Sequence, residues 1–451
     1  MEDLELLADA DRRARRYTAN AHTQRVFPDA AALAALQAFD EPLPQAGRPP
    51  TETLALLDEV GSVATAVSNG PNYFGFVIGA SQPVAAAAER MVLAWDQCAS
   101  AFDNSPVAAT LEKIAGRWIL DALDLPRDSA VSFGTSASAG SFVCLSTARR
   151  CLLARRGWDF DRKGLAGAPA VRVVVPASVH ITMRKALRLM GVGSDNLIEA
   201  AVDDQGRIDP ARLPDLDAST ILCLQAGEVN TGSFDRFAEL IPRARAAGAW
   251  VHVDGAFGLW ARSSEALRER TEGIDLADSW TTDGHKWLNT PYDGAVAICR
   301  DAQALAAAMN SDAVYAASSA DSQKNLGIEF SRRARGIPIW AALRSLGRNG
   351  VGELVERHCR LARELGRGLS EAGYTVLNEV VLNQVLFRLE TDQATRAARD
   401  TAVASGELWF GPTVWQGRPA LRMSVSSYYT ADAHIQNAIA VMRRIAEELR
   451  A

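Results

Sequence analysis

From about residue 106 onward, short runs of apolar and β-branched residues alternate with stretches of helical periodicity. Residues 106–123 repeat apolar positions at helical spacing, and 130–133 form a short apolar segment followed by small residues and a helix through Arg150. Residues 171–175, 221–224, 250–253, 279–282 and 295–299 read as strands, with helices over 181–190 and 234–247 between them. Continuously apolar strands alternating with helices predict a mostly parallel sheet covered on both faces. Such a sheet places ligands beyond the carboxyl ends of its strands.

The two ends of the chain have a different texture. Residues 1–40 read as alanine-rich helix, broken near Pro28 and again before Pro42. A Pro/Gly linker covers 45–50, and a second helical stretch, 51–68, closes at Ser68-Asn-Gly-Pro71. Two helices cannot bury a core of their own, so they are expected to pack on something else, such as a second subunit. After about residue 300, helical stretches at 332–350 and 351–372 precede strand-like 381–389 and 420–425 and a terminal helix, 431–450. The expected organisation is a helical arm (1–75), a large α/β domain (76–315) and a smaller α+β domain (316–451).

Length and composition agree with this division. A chain of 451 residues is long for one core, and 48% hydrophobic with 23% charged residues is ordinary for a soluble globular protein. A net charge of −6 offers no electrostatic reason for a nucleic-acid partner, and the arginines at 12–16 read as a solvated helix face. No apolar run is long enough to span a membrane, and the acidic start is unlike a secretory signal. The six cysteines are scattered without metal-ligand spacing, so no metal is expected; they read as free thiols of a reducing, cytoplasmic environment.

Candidate chemistry begins with lysine, which is scarce. The chain has Lys113, Lys163, Lys185, Lys286 and Lys324; its other basic side chains are arginines, which stay protonated and do not act as amine nucleophiles. Lys286 follows the strand-like run ending near Thr282, next to His285. Asp254 closes the preceding strand, Trp250-Val-His-Val-Asp254, although an Asp there also serves commonly as a turn or cap residue. Neighbouring strands would bring both ends to one edge of the sheet. An acid and a lysine there suit a pyridine aldehyde cofactor: the lysine forms the Schiff base, and the aspartate keeps the ring nitrogen protonated. Phe133-Gly-Thr-Ser-Ala-Ser-Ala-Gly140, a small-residue turn before a helix, suits the cofactor's phosphate. Neither a GxxxxGK[ST] nor a strand-linked GxGxxG is present. His180, beyond the strand at 171–175, is placed to stack on a flat ring, or to serve only as a structural residue at a helix start.

The motifs occur in an order that resembles the group II pyridoxal-phosphate-dependent amino-acid decarboxylases of fold type I, the aspartate aminotransferase-like fold. They are Asn72-Tyr-Phe-Gly-Phe, Ser105-Pro-Val-Ala-Ala-Thr-Leu-Glu112, the turn at 134–140, Ser178-Val-His180 and Gly227-Glu-Val-Asn-Thr-Gly232. Val253-Asp-Gly-Ala-Phe-Gly258, Asp283-Gly-His-Lys-Trp-Leu288 and Phe330-Ser-Arg-Arg-Ala-Arg335 complete the series. The resemblance implies α-decarboxylation of an L-amino acid to an amine and CO₂, with pyridoxal 5'-phosphate (PLP) held by Lys286. It further implies that Asp254 pairs with the pyridinium nitrogen, Ala256 packs under the ring and His180 stacks above it. Ser136, Ala137 and His285 would contact the phosphate. Relatives are intertwined homodimers with the site at the interface, which would explain the N-terminal arm.

The pattern breaks in three places. Many relatives carry, in a mobile loop, a tyrosine that protonates the carbanion left by CO₂ loss; here 316–327 has none, and either Tyr315, just upstream, or another donor takes that role, or the outcome is different. Losing that tyrosine in relatives diverts the outcome toward an aldehyde, so oxidative decarboxylation–deamination or carbon–carbon lyase chemistry stands as the alternative. Lys324, in the same stretch, could donate a proton but reads as solvated. Glu228 replaces a small hydroxyl residue and is expected either to accept hydrogen bonds from its neighbours or to repel substrate carboxylates. The pocket entrance is read as Asn72, Cys98 and Ser100 with Phe76 and Phe102 nearby, favouring a polar or larger substrate over a tight aromatic slot. Arg422 is placed to bind a carboxylate or to bridge the two domains.

Overall fold

Valine-rich runs with few polar positions need protein on both faces, and they obtain it by pairing into one sheet and packing under helices. The computed structural model describes residues 2–310 and 322–450. It resolves into two compact units: Ser81–Arg360 with Asn378–Gln384, and Met1–Ala80 with Leu361–Leu377 and Val385–Ala451. The expected boundary at 315/316 lies outside the described residues.

The larger unit is built on seven strands: β1 (Ala130–Gly134), β2 (Arg172–Pro176), β3 (Leu197–Ala200), β4 (Thr220–Gln225), β5 (Trp250–Asp254), β6 (Ser279–Asp283) and β7 (Ala295–Cys299). Their order across the sheet is β1-β7-β6-β5-β4-β2-β3. The pairs from β6 through β3 are parallel; β7 alone runs against its neighbours β6 and β1. This is the mostly parallel α/β sheet expected from the pattern, with β3 added at the edge. The core beneath it is aliphatic. Val173, Val175, Ile221 and Cys223 pack against Cys144, Leu145 and Ala148 of the helix Ala137–Arg155. Each fully buried valine or leucine contributes about 1.5–3 kcal/mol. Gly140 lets this helix approach closely: a Cβ there would stand 3.0 Å from Thr281 Cγ2.

Two buried carboxylates fix the loops around this sheet. Glu112, on the helix Pro106–Ala122, accepts from both terminal nitrogens of Arg332 at 2.8 Å and from the backbone N–H of Gly336 at 3.1 Å. Arg332 also accepts, through its carbonyl, the N–H of Ala99 at 2.8 Å. Asp235 is wholly buried and accepts the N–H groups of Ile208 and Gln225, each at 2.7 Å. Burial pushes its carboxyl up to about 7, against the downward pull of those two bonds.

The second unit carries four strands: β8 (Thr375–Val376), β9 (Gln384–Arg388), β10 (Gly411–Trp415) and β11 (Arg418–Ser424), ordered β10-β11-β9-β8. The N-terminal residues are sewn into this unit. Phe74 donates its N–H to Trp409 O and accepts from Ser424 N, both at 2.8 Å; Val26 donates to Gly406 O at 2.8 Å. The Tyr73 ring stacks on Trp409 with centroids 4.9 Å apart. The arm is therefore tied to its own chain at Val26 and Phe74. Its apolar side chains at Leu4, Leu7, Leu43 and Val63 remain exposed. The helix Gly336–Glu371 is interrupted at Gly347, whose φ of 64° breaks it three residues before the expected change at 350. Among the described residues no helix is long and apolar enough to cross a membrane.

Two outcomes follow. Replacing Glu112 by Gln strands the Arg332 charge in the interior, so stability to denaturant is expected to fall by about 3–5 kcal/mol; a loss under 1 kcal/mol contradicts a buried pair of this kind. Asp235 has its folded-state pKa raised from 3.8 to about 7, so its contribution is complete below the unfolded value and is lost as pH rises through the folded one. Between about pH 4 and 7 the wild-type denaturation midpoint is expected to fall more steeply than that of Asp235→Asn. Parallel curves for the two proteins would remove Asp235 as the cause.

Candidate active site

Parallel pairing brings the carboxyl ends of β2, β4, β5 and β6 to one edge of the sheet. Gln225 is paired with Asp254 across β4 and β5, and Asp254 with Thr281 across β5 and β6. Asp283, the last residue of β6, is opposite Ala295, which in turn is opposite Gly134 at the end of β1. The turn at 134–140, the Asp254–Gly258 turn and the Asp283–Leu288 segment thus share this edge, and His180 follows β2 onto it.

Asp254 is half-buried, and its Oδ1 accepts the N–H of Ala256 at 3.1 Å. The Ala256 carbonyl accepts the N–H of Asp283 at 2.8 Å, so the turn after β5 is bonded directly to the end of β6. Gly258 is required there: a Cβ would come within 2.3 Å of the Ala226 carbonyl oxygen. The indole of Trp260 donates to the carbonyl of Asp283 at 3.1 Å.

Three residues on, Lys286 keeps 21% of its side chain exposed, and its Nζ lies 3.4 Å from Asp283 Oδ2. Asp283 itself is 2% exposed, and its Oδ1 has no hydrogen-bond partner among the described residues. His285 is buried; its Nδ1 accepts the N–H of Gly294 at 3.2 Å, and its Nε2 lies 3.7 Å from Asp283 Oδ2. Burial holds the imidazole below its usual pKa despite the nearby Asp283 carboxylate, so it is neutral with its proton on Nε2. The ring of Tyr292 lies 4.4 Å from that of His285. The loop from 284 to 294 is closed by Gly284 N donating to Gly294 O at 2.8 Å.

Ser136 caps the helix Ala137–Arg155, its Oγ accepting from Ala139 N at 3.3 Å. The first-turn N–H groups of a helix lack intrahelical partners, which suits them to an anion. His180 caps the helix Ile181–Leu189 and holds Thr182 Oγ1 at 2.7 Å through Nδ1.

Ser136, Ala137, His180, Asp254, Ala256, His285 and Lys286 are therefore gathered on one edge. Asn72, Phe76 and Arg422 belong to the second unit, where the Arg422 guanidinium lies 5.8 Å from the Phe76 ring centroid. Phe102 is 60% exposed and lines a cavity of about 810 Å³ along the helix Pro106–Ala122 and β1; Lys286, Asp254 and His180 do not line it. Tyr315 lies outside the described residues.

Two readings of the sequence change. Glu228 is 1% exposed and accepts the N–H groups of Asn230 at 2.7 Å and Thr231 at 2.8 Å, so of its two expected roles it takes the first. Lys324 is not solvated: it is 3% exposed, with its ammonium 5.3 Å from the Phe330 ring centroid. Its segment is drawn inward because Lys324 N donates to Ser100 O at 2.9 Å and Arg332 is locked to Glu112. Asp283 and Tyr292 are the residues the sequence reading passed over. Asp283 stands i−3 to Lys286, within the motif already singled out, and Tyr292 stands i+6, four residues beyond its end.

The profile of the pyridoxal-dependent decarboxylase conserved domain matches residues 46–390. Tryptophan decarboxylase 1 of Oryza sativa subsp. japonica is 26% identical over 421 residues, covering 84% of this chain and 81% of that protein. Phenylacetaldehyde synthase of Arabidopsis thaliana is 26% identical over 381 residues, covering 77% and 76%. The crystal structure of Oryza sativa TDC with PLP and tryptamine superposes with a TM-score of 0.91 at 22% identity, covering 100% of this chain and 98% of the other. The fold is thus that of the PLP decarboxylases, and the match over most of its length makes this chain a member of the pyridoxal-dependent decarboxylase family, an enzyme whose cofactor is PLP.

Proposed function

We propose that the chain removes CO₂ from an L-amino acid and releases the amine, with Lys286 as the cofactor lysine. The observation that carries this reading is the convergence of Lys286, Asp254 and the N-terminus of the helix Ala137–Arg155 on one sheet edge. The residues fit the cofactor. Lys286 is accessible, a helix N-terminus offers N–H groups to a phosphate, and Asp254 stands half-buried at the strand end. Asp283 Oδ1 is a buried acceptor without a donor among the described residues. When bound, PLP supplies an electron sink for the pair left on the substrate α-carbon.

The chain's own residues do the rest. Asp254 would hold a proton on the ring nitrogen. Ser136, Ala137 and neutral His285 would hold the phosphate end through hydrogen bonds, and His180 and Ala256 would pack against the ring. The residues that fix the substrate's orientation would select which bond breaks. Asn72, Phe76, Phe102, Tyr315 and Arg422 are proposed to shape the substrate site. Tyr292 supports the amine outcome: it brings a phenol to the loop following Lys286, whereas 316–327 has no tyrosine. The exposed apolar side chains of the N-terminal arm support a homodimer, with cytoplasmic residence fitting the free cysteines.

A second reading has a specific observation behind it. The tyrosine-free stretch 316–327, together with likeness to a phenylacetaldehyde synthase, favours an aldehyde product. Incubation of the PLP-loaded chain with a panel of L-amino acids separates the two: CO₂ with amine is expected, whereas hydrogen peroxide, ammonia and aldehyde would overturn the amine reading. Tyr292→Phe is expected to raise the aldehyde share of the product at least several-fold; an unchanged ratio removes Tyr292 as the proton source.

A further inference from the structure

Asp283 has a geometry that the cofactor roles above leave unused. Its backbone is held at both polar groups, by Ala256 O and by the Trp260 indole, so its side chain has a fixed origin. The carboxylate is 2% exposed. One oxygen lies 3.4 Å from Lys286 Nζ, and the other has no donor among the described residues. A buried carboxylate beside an amine three residues away, on a turn whose main chain is pinned, sets where that amine rests.

We infer that Asp283 is a positioning residue for Lys286: its carboxylate holds the lysine nitrogen by a salt bridge and aims it at the strand-end crevice. The inference rests on Lys286 being the cofactor lysine and deepens that assignment. In the absence of cofactor, the pair keeps the lysine nitrogen at a defined place. With cofactor bound, the same carboxylate would stand close to that nitrogen. The other charged and titratable groups around the pair are few. His285 Nε2 lies 3.7 Å from the same oxygen and is neutral. Asp254 ends the neighbouring strand β5, and Asp293, across the loop, is already held by Arg335 at 2.8 Å. The ring of Tyr292 lies against His285, tilted by 31°. None of these supplies a second carboxylate contact to Lys286 Nζ at salt-bridge distance.

The test is a pH titration of the visible absorbance of the PLP-loaded full chain, comparing wild type, Asp283→Asn and Asp283→Glu. The band near about 420 nm reports the proton on the lysine nitrogen. Asn keeps the backbone bonds and the size of the side chain but removes the charge, so a merely structural role would leave the midpoint where it is. With Asn the midpoint is expected to fall by about one pH unit or more, while Glu stays near wild type. An Asn midpoint equal to wild type within error overturns the inference, as does a Glu variant shifted as far as Asn. Should Asn fail to load the cofactor, the Glu comparison carries the test. A wild-type protein with no band at all overturns the Lys286 assignment itself, an outcome separate from the first.

Discussion

Parallel pairing of β5 with β6 is the constraint on which the site depends. Because the two strands run the same way, Asp254 and Asp283 finish on one edge, and the turn that carries Lys286 starts there. The alternative, an antiparallel pair, would put the two ends on opposite edges, some five residues of strand apart. β7 makes the point from the other side. It runs against β6, so its first residue, Ala295, reaches the same edge and delivers Gly134 next to it across β1. The hydrogen bond from Asp283 N to Ala256 O then welds the two functional turns together.

What surrounds that edge is fixed by buried charge rather than by apolar contact. Glu112 grips Arg332 and the start of the helix Gly336–Glu371. Asp235 ties Ile208 to the end of β4. Glu228 closes the turn just past β4. Interior carboxylates of this sort define a single loop geometry because any other arrangement leaves a desolvated charge without a partner. They also make the loops sensitive to pH where, as at Asp235, burial outweighs the bonds that hold the anion.

Much of this was legible in the chain. The apolar runs at 221–224, 250–253, 279–282 and 295–299 each fall within an observed strand, and 171–175 is offset by one residue from β2, because strands covered on both faces have no polar side to blur the pattern. β3 and β10 escaped notice for the opposite reason. Both are edge strands with exposed positions, and β10 carries Pro412. Lys324 misled because a lysine in a polar stretch is usually solvated; its burial is imposed from a distance, by Ser100 and by the Glu112–Arg332 pair. The tie of the arm to its own chain at Trp409 was invisible for the same reason, since it joins residues more than 300 positions apart. Asp283 lay in plain sight, but its closeness to Lys286 depends on the turn between them.

The central claim is that Lys286, among five lysines, holds the cofactor. Reduction of the PLP-loaded chain with borohydride, followed by peptide mapping by mass spectrometry, tests it most directly. A single pyridoxyl adduct on the peptide bearing Lys286 is the predicted result. An adduct on Lys113, Lys163, Lys185 or Lys324, with Lys286 unmodified, would contradict the account.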